Sequence, residues 1–465
     1  MPGLTVRDVV VLLPGITGSV LARPHPRKPG ELRDVWSPSA SAIWRALTGG
    51  AIADLELSSD AAEDGVVATR LVPDVTIIPG FWKIDGYGKI SRHIVQELGL
   101  HPGRNFFEFP YDWRRDNRLA ARQLEQRAMD WLRAWRKSSG ASDARLVLVG
   151  HSMGGLVARY FLECLEGWKH TRSLITFGTP HRGSLNAVNF LVAGMRKGIG
   201  PLGFDVTPLL RSLPSVYQLL PVYPCVDGGG ADLERVPAAA QRGILPNVDG
   251  ARAEAALAFH TEIEQAQKAN AGADAYLDTG YRTFPVVGID QPTLQSARAA
   301  NGKVELLRTR KGRDESGDGT VPRGSATPLE LQDLQREIYA ADRHGSLQNA
   351  ADVLLNLEGI LTRPAIDLRD FRAGPPESLS LDIEDAVVSP EPFTVRAKPS
   401  DGNPRLTAEL TNLSTSETFT EPLDRAGEGW QAVELVLPPG TYRVQVTGGA
   451  NVRPVTDLFV VAAPA

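Results

Sequence analysis

Residues 146–157 read LVLVGHSMGGLV. Leu146 to Val149 form an apolar run short enough for a buried strand, and a helical pattern from Met153 to Glu166 follows at once. Between the two stands Gly150-His151-Ser152-Met153-Gly154, a G-x-S-x-G turn. A strand that becomes a helix this abruptly bends too sharply for bulky neighbours, and the bend holds Ser152 out from the backbone. The amide of Met153 then points to where an oxyanion would form. Gly167 is expected to end the helix in the left-handed conformation. The pentapeptide alone recurs by chance, so an idle serine in a glycine-rich turn is the plain alternative.

The surrounding chain supplies the sheet and helices that such a turn needs. Val9–Leu13 reads as a strand, GYGKISRHIVQELGL as a helix, and NFFEFPYDW as a strand before a Trp-rich helix. SLITFGTP, TFPVVGI and KVELLRTR read as later strands, and SLQNAADVLLNLEGIL as a helix. The alternation predicts a mostly parallel sheet with helices on both faces. Residues 20–70 and 183–282 break this rhythm and read as insertions over the carboxyl edge of the sheet, where open α/β sheets bind their ligands.

After RAGPPES the pattern changes to short alternating strands: SLSLDI, FTVRAK, RLTAELTNL, WQAVELVL and TYRVQVTG. These predict an all-β sandwich of immunoglobulin or fibronectin type over residues 379–465, behind an α/β domain spanning 1–371. The sandwich segment holds no constellation of catalytic side chains and reads as a packing module or the seat of a protein partner. A chain ending near residue 372 is therefore expected to keep its active site.

Bulk properties exclude some classes. The formal net charge of −5 over 465 residues gives no electrostatic reason to expect nucleic acid. The arginines of DWRRDNRLAARQLEQR fall beside an apolar helical stripe of Leu119, Leu124, Ala128, Trp131, Leu132 and Trp135, and read as its solvated face. Two cysteines, Cys164 and Cys225, are too few for a disulfide framework. RDVVVLLPG lacks the features of a secretion signal and no apolar run reaches spanning length, which predicts a cytoplasmic protein.

A serine hydroxyl needs a base to take its proton and a carboxylate to orient that base. In the α/β-hydrolase order the acid and then the histidine follow the serine. Of eight histidines, His344 in ADRHGSLQNA satisfies this order best, after the last core strand and before the last helix. His170 and His181 come before any plausible late acidic turn, and His260 lies on a helical stretch of the second insertion. Two residues compete for the acid. Asp290 follows the strand TFPVVGI, and Asp318 sits in ESGDGTVPRGS, where flanking glycines let backbone amides converge on the carboxylate. Residue chemistry favours Asp318 and leaves Asp290 open. The acidic loop lacks EF-hand spacing, and no metal or cofactor is predicted. A second oxyanion amide is expected at Ile16, where LLPGITGS turns after the first strand.

Taken in order, LLPGITGSVL, FPYDWRRDN, GHSMGGLVARYFL, FGTPHRGS, RSLPSVYQLLP, SGDGTVP and RHGSLQN resemble the lecithin:cholesterol acyltransferase family, which includes phospholipases and acyltransferases. The resemblance covers most of residues 8–360. It implies an α/β-hydrolase fold with Ser152 as nucleophile, Asp318 as acid, His344 as base, and oxyanion amides at Ile16 and Met153. The implied activity is a serine esterase or lipase forming an acyl-enzyme, or an acyltransferase passing the acyl group to an alcohol. A non-catalytic binding protein on the same scaffold is the distant alternative. Secreted members carry a signal peptide and a disulfide near the first insertion. Neither is found here, which implies an intracellular, bacterial-type relative.

The insertions carry apolar groups, one of Trp36, Ile43, Trp44 and Leu47, the other within FDVTPLLRSLPSVYQLLPVY. Burial against the sheet explains such clusters. An acyl channel, with the cap touching a lipid surface, explains them equally and agrees with the resemblance.

Overall fold

The computed structural model describes residues 6–25, 27–37, 55–57, 64–73, 76–78, 82–197, 204–300, 302–334, 337–362, 378–400, 402, 404–427, 429–448 and 452–463. Its central sheet has six strands: β1 (Val9–Leu13), β2 (Phe106–Glu108), β3 (Leu146–His151), β4 (Thr171–Phe177), β5 (Arg282–Gly288) and β6 (Ile338–Ala340). They lie in the order β6-β5-β4-β3-β1-β2, and every neighbouring pair is parallel. Every residue of β1 and β3 is buried, as continuous apolar strands covered on both faces should be.

The main helices are α1 (Gly88–Glu97), α2 (Asn117–Ser139), α3 (Met153–Cys164), α4 (Leu185–Val192), α5 (Gly250–Asn270) and α6 (Ala351–Thr362). From β1 the chain crosses by α1 to β2, then reverses by α2 to β3 on the other side of β1. Right-handed crossovers in opposite directions put α1 and α2 on opposite faces of the sheet. The packing agrees, for α3 lies against α2 and α5 while α1 lies against α6. The reversal leaves β1 beside β3, and their carboxyl ends open onto the crevice where such sheets bind ligands. With a serine turn directly after β3, this is the α/β-hydrolase arrangement. Among the described residues, no helix is long and apolar enough to cross a membrane.

Several local expectations change. Glu166, at φ 57°, takes the left-handed position expected of Gly167. Gly167 serves a different need: a Cβ there would stand 2.6 Å from the Phe161 ring. The strand expected across NFFEFPYDW is only Phe106–Glu108, since Pro110 cannot donate to the ladder. Lys303–Leu307 does not join the central sheet. Its connection to Ser296–Ala300 is only two residues long, which permits an antiparallel neighbour alone, and the pair forms a small sheet with Val226–Asp227.

Of the arginines in DWRRDNRLAARQLEQR, Arg122 and Arg127 are exposed as expected, but those before and at the start of α2 are not a solvated face. Arg114 is fully buried, with Nη1 2.8 Å from Asp64 and Nη2 2.7 Å from Asp112. Arg115 shares both carboxylates, and Arg118 pairs with Glu262 of α5 at 2.7 Å. Acidic residues brought in from the first insertion and from α5 neutralise these charges, which periodicity within α2 could not reveal. In the first insertion Trp36 is buried, edge-on to Trp113 at 5.2 Å. Ile43, Trp44 and Leu47 lie outside the described residues, as does most of GPPES.

Beyond residue 378 the chain forms β7 (Leu379–Asp382), β8 (Ala386–Val388), β9 (Phe393–Pro399), β10 (Thr407–Asn412), β11 (Thr418–Pro422), β12 (Asp424–Gly427), β13 (Trp430–Leu435), β14 (Gly440–Thr447) and β15 (Val455–Ala462). One sheet runs β7-β9-β13-β12 and the other β8-β15-β14-β10-β11. They enclose a core of their own that includes Val395, Leu410, Tyr442 and Phe459. The alternating burial of β9 and β14 is that of strands with one face inward.

Candidate active site

Ser152 stands between β3 and α3 at φ 52° and ψ −125°, a sparsely populated conformation costing about 1–3 kcal/mol. Two hydrogen bonds hold it there. Its amide donates to the Phe177 carbonyl of β4 at 2.9 Å, and the Gly155 amide donates to its carbonyl at 3.0 Å. The residue is 1% exposed.

His344, on the loop between β6 and α6, brings Nε2 to 3.0 Å from Ser152 Oγ. Its Nδ1 lies 2.7 Å from Asp318 Oδ2. The other carboxylate oxygen of Asp318 accepts amides of Thr320 at 2.9 Å and Val321 at 2.7 Å, so the glycine-flanked turn orients it with its own backbone. The His344 amide in turn donates to the Asp318 carbonyl at 2.9 Å. With Nδ1–H donating to Asp318, the Nε2 lone pair faces the serine hydroxyl and can accept its proton. Asp290 is directed elsewhere. At φ 64°, its carboxylate accepts the Ser378 hydroxyl and its carbonyl accepts that of Ser380.

Ile16 and Met153 both adjoin Ser152. Met153 is the first residue of α3, where backbone amides lack partners within the helix. The turn after β1 touches the serine so closely that a Cβ on Gly15 would be 2.9 Å from Ser152 Cβ. Ile16 lines the same slot as the serine.

Two residues near the centre escaped sequence reasoning. The Gly15 amide donates to Tyr87 Oη at 2.7 Å, and Tyr87 Oη lies 2.8 Å from His151 Nδ1. His151 Nε2 lies 3.1 Å from the His344 carbonyl. One set of donors satisfies the whole chain: Tyr87 O–H donates to Nδ1, and Nε2–H donates to the carbonyl. Burial, with the neighbouring His344 adding to it, lowers the His151 pKa to about 3, and burial raises that of Tyr87. Both are therefore neutral, as this assignment requires. The buried strut ties the turn after β1 to the backbone of His344. His151 was visible in the pentapeptide, but nothing near Tyr87 in the sequence signals its partner.

Gly178, after β4, packs onto the Asp318–His344 contact. A Cβ there would stand 2.7 Å from Asp318 Oδ2 and 2.9 Å from His344 Nδ1.

A narrow apolar slot leads from Ser152, walled by Ile16, Pro180, Ala187, Phe190, Val216 and Leu219. It leaves about 10 Å³ of free space, room for about one water. In the second insertion Leu209, Leu210, Leu213, Val216, Leu219 and Leu220 all belong to the core, and Val216 and Leu219 also line the slot. Among the described residues, no group of three or more His, Cys, Asp or Glu side chains is gathered to hold a metal ion.

Residues 81–242 match the lecithin:cholesterol acyltransferase family, a segment that includes Ser152 and Met153 but neither Asp318 nor His344. Lecithin-cholesterol acyltransferase-like 4 of Arabidopsis thaliana is 31% identical over 134 residues, 26% of this chain and 24% of that protein. An uncharacterized protein of Saccharomyces cerevisiae is 26% identical over 174 residues, 37% of this chain and 23% of that protein. The chain thus spans about a quarter of the length of the curated relatives it matches. Among solved structures, Bacillus licheniformis lipase BlEst2 in its propeptide form is 12% identical, with a TM-score of 0.32 over 98% of this chain and 74% of that one. Phospholipase PlaB from Legionella pneumophila is 10% identical, with a TM-score of 0.25 over 98% and 92%. Likeness at these scores sets no residue-by-residue correspondence.

Proposed function

We propose that this chain, whose residues 81–242 match the lecithin:cholesterol acyltransferase family, is an enzyme that cleaves lipid acyl esters through an acyl-enzyme on Ser152. One observation carries the reading: an unbroken line from Asp318 through His344 to Ser152, at the inner end of an apolar slot. Ser152 Oγ attacks the ester carbonyl as its proton passes to His344 Nε2, and Asp318 stabilises the imidazolium. Amides of Ile16 and Met153 receive the negative charge on the carbonyl oxygen. His344 then gives the proton to the departing alcohol, and the acyl group remains on Ser152. In the second half-reaction water attacks, with His344 again as base.

Acyl transfer uses the same first half, with an alcohol in place of water, and the family match supports this outcome equally. The apolar slot suits an acyl chain and gives no preference among head groups.

The test is ester hydrolysis by Ser152→Ala, His344→Ala and Asp318→Asn beside the parent. Each is expected to lose several orders of magnitude in kcat while staying folded. Asp290→Asn is expected to cost far less. A crippling Asp290→Asn with a mild Asp318→Asn would sink the acid assignment. Product analysis with a labelled acyl donor and an added alcohol separates hydrolysis from transfer.

A further inference from the structure

The β-sandwich reaches the loop that carries His344. Arg343, the residue just before it, donates from Nε to Asp457 Oδ2 at 2.9 Å and from Nη1 to the Leu381 carbonyl at 2.7 Å. Asp457 lies on β15 and Leu381 on β7, so one guanidinium engages both sheets of the sandwich. The pair is well shielded, with side chains 17% and 4% exposed.

The rest of the loop is held just as closely. The buried Gln291 side chain donates to the Ala341 carbonyl at 2.6 Å and to the Leu379 carbonyl at 2.8 Å, while accepting the Leu381 amide at 3.1 Å. Gln291 also pairs with the Asp318 turn, its amide donating to the Gly317 carbonyl at 2.9 Å. On the far side of His344, the Gly345 carbonyl accepts the Asp85 amide at 2.8 Å, and the Asp85 carboxylate takes Arg443 of β14 at 2.5 Å. Residues 341–345 are thus fixed at Ala341, Arg343 and Gly345. At each of the three, the partner belongs to the sandwich or bridges directly to it.

This arrangement bears on catalysis because His344 must meet two targets at once, Ser152 at 3.0 Å and Asp318 at 2.7 Å. A displacement of about 1 Å in such a group costs about 100-fold in rate. A partly buried guanidinium with a carboxylate and a carbonyl as partners is a stiff anchor, since its fork fits them in one orientation.

We propose that the sandwich is a working part of the catalytic centre, in which Asp457 and Leu381 hold Arg343 and Arg343 fixes the loop presenting His344 to Ser152. Arg343 and Asp457 are positioning residues in this account, which rests on the reading of His344 as the base. It replaces the sequence-based expectation that a chain ending near residue 372 keeps a working site.

The test compares full-length Asp457→Asn, Asp457→Glu and Arg343→Lys with the parent on a soluble short-chain ester. Tyr442→Phe serves as a control, because the Tyr442 hydroxyl donates to the Pro438 carbonyl within the sandwich itself at 2.9 Å. Asp457→Asn should lower kcat about 10- to 100-fold with KM within about twofold, and Asp457→Glu should recover part of the loss. Tyr442→Phe should lower the melting temperature and leave kcat within about twofold. If Asp457→Asn does not fold, Arg343→Lys, which keeps the charge and loses the fork, is read by the same kcat criterion. A folded Asp457→Asn or Arg343→Lys with the parent's kcat overturns the proposal. If His344→Ala is inert in that same experiment, the positioning claim alone has failed. If His344→Ala is as active as the parent, the reading of the site has failed and the positioning role falls with it.

Discussion

Tyr87 and His151 share a buried hydrogen bond of 2.8 Å that joins the turn after β1 to the loop bearing His344. Removing the phenol leaves the Gly15 amide without an acceptor and His151 Nδ1 without a donor, both out of reach of water. Tyr87→Phe should therefore lower kcat about tenfold or more, with little change in KM, because the groups it aligns act on the developing oxyanion. Steady-state kinetics on a soluble ester, with circular dichroism as a check on folding, measures this. An unchanged kcat would remove Tyr87 from the account.

Gly178→Ala should be more damaging than its size suggests. The added methyl meets both Asp318 and His344 under 3 Å, and φ of 52° is unfavourable for alanine. Loss of about 100-fold or more in kcat is expected from displacing the pair by about 1 Å. Parent-like activity would show that the loop yields without harm.

Arg114→Ala tests the buried charge cluster. It removes the fully buried one of the two cations that Asp64 and Asp112 share and leaves Arg115 to bridge them, and breaking comparable buried pairs destabilises by about 3–5 kcal/mol. Burial acts to raise the Asp64 pKa, but hydrogen bonding and charge from Arg114 hold it well below the usual carboxylate range, so this carboxylate stays charged. Urea denaturation provides the number, and a loss under about 1 kcal/mol would mean that water enters and screens the pair.

Stability should fall as the solution is acidified. Burial holds His151 at about 3 and His260 at about 4, and puts His181 well below the ordinary 6.5. Between about pH 6.5 and 4 the unfolded chain takes protons on all three that the folded protein refuses, so stability is lost across that window. Asp342 acts with the opposite sign: burial, with Asp352 nearby, raises it to about 7, so the folded state holds a proton there that the unfolded chain releases. Among these four groups, three protons against one leave about two, a slope of about 2.7 kcal/mol per pH unit. His170, also lowered by burial, adds in the same direction. Urea midpoints at pH 8, 6 and 5 measure it, and His260→Gln should flatten the slope by about one proton. Midpoints that stay level from pH 8 to 5 would contradict the assignment.

The slot beside Ser152 must widen to take a chain longer than a few carbons. Phe190→Ala should raise activity on long acyl esters several-fold relative to a short one, since the ring walls the slot. Equal effects on both, with a lower melting temperature, would make Phe190 simply core.

What could be read in advance was local. The apolar runs of β1 and β3, the glycines around Ser152 and the turn around Asp318 declare themselves within a dozen residues, because strand burial and tight turns act over that range. Tyr87 meets His151 across 64 positions and Arg343 meets Asp457 across 114, so no local pattern marks either contact. Arg114 misled for the same reason. Its helical neighbourhood suggested solvent, while Asp64, 50 positions earlier, supplies the charge that lets it be buried. Glu166 and Gly167 exchanged their expected duties because the Phe161 ring, rather than the backbone, demanded the glycine.

The central claim is that Ser152 is a nucleophile activated by His344. A fluorophosphonate probe tests it most directly, with the modified peptide identified by mass spectrometry. The account predicts a single adduct on Ser152 in the parent, no adduct in Ser152→Ala, and labelling slowed by orders of magnitude in His344→Ala. A folded parent that fails to react, or an adduct on another serine that persists in Ser152→Ala, would contradict it.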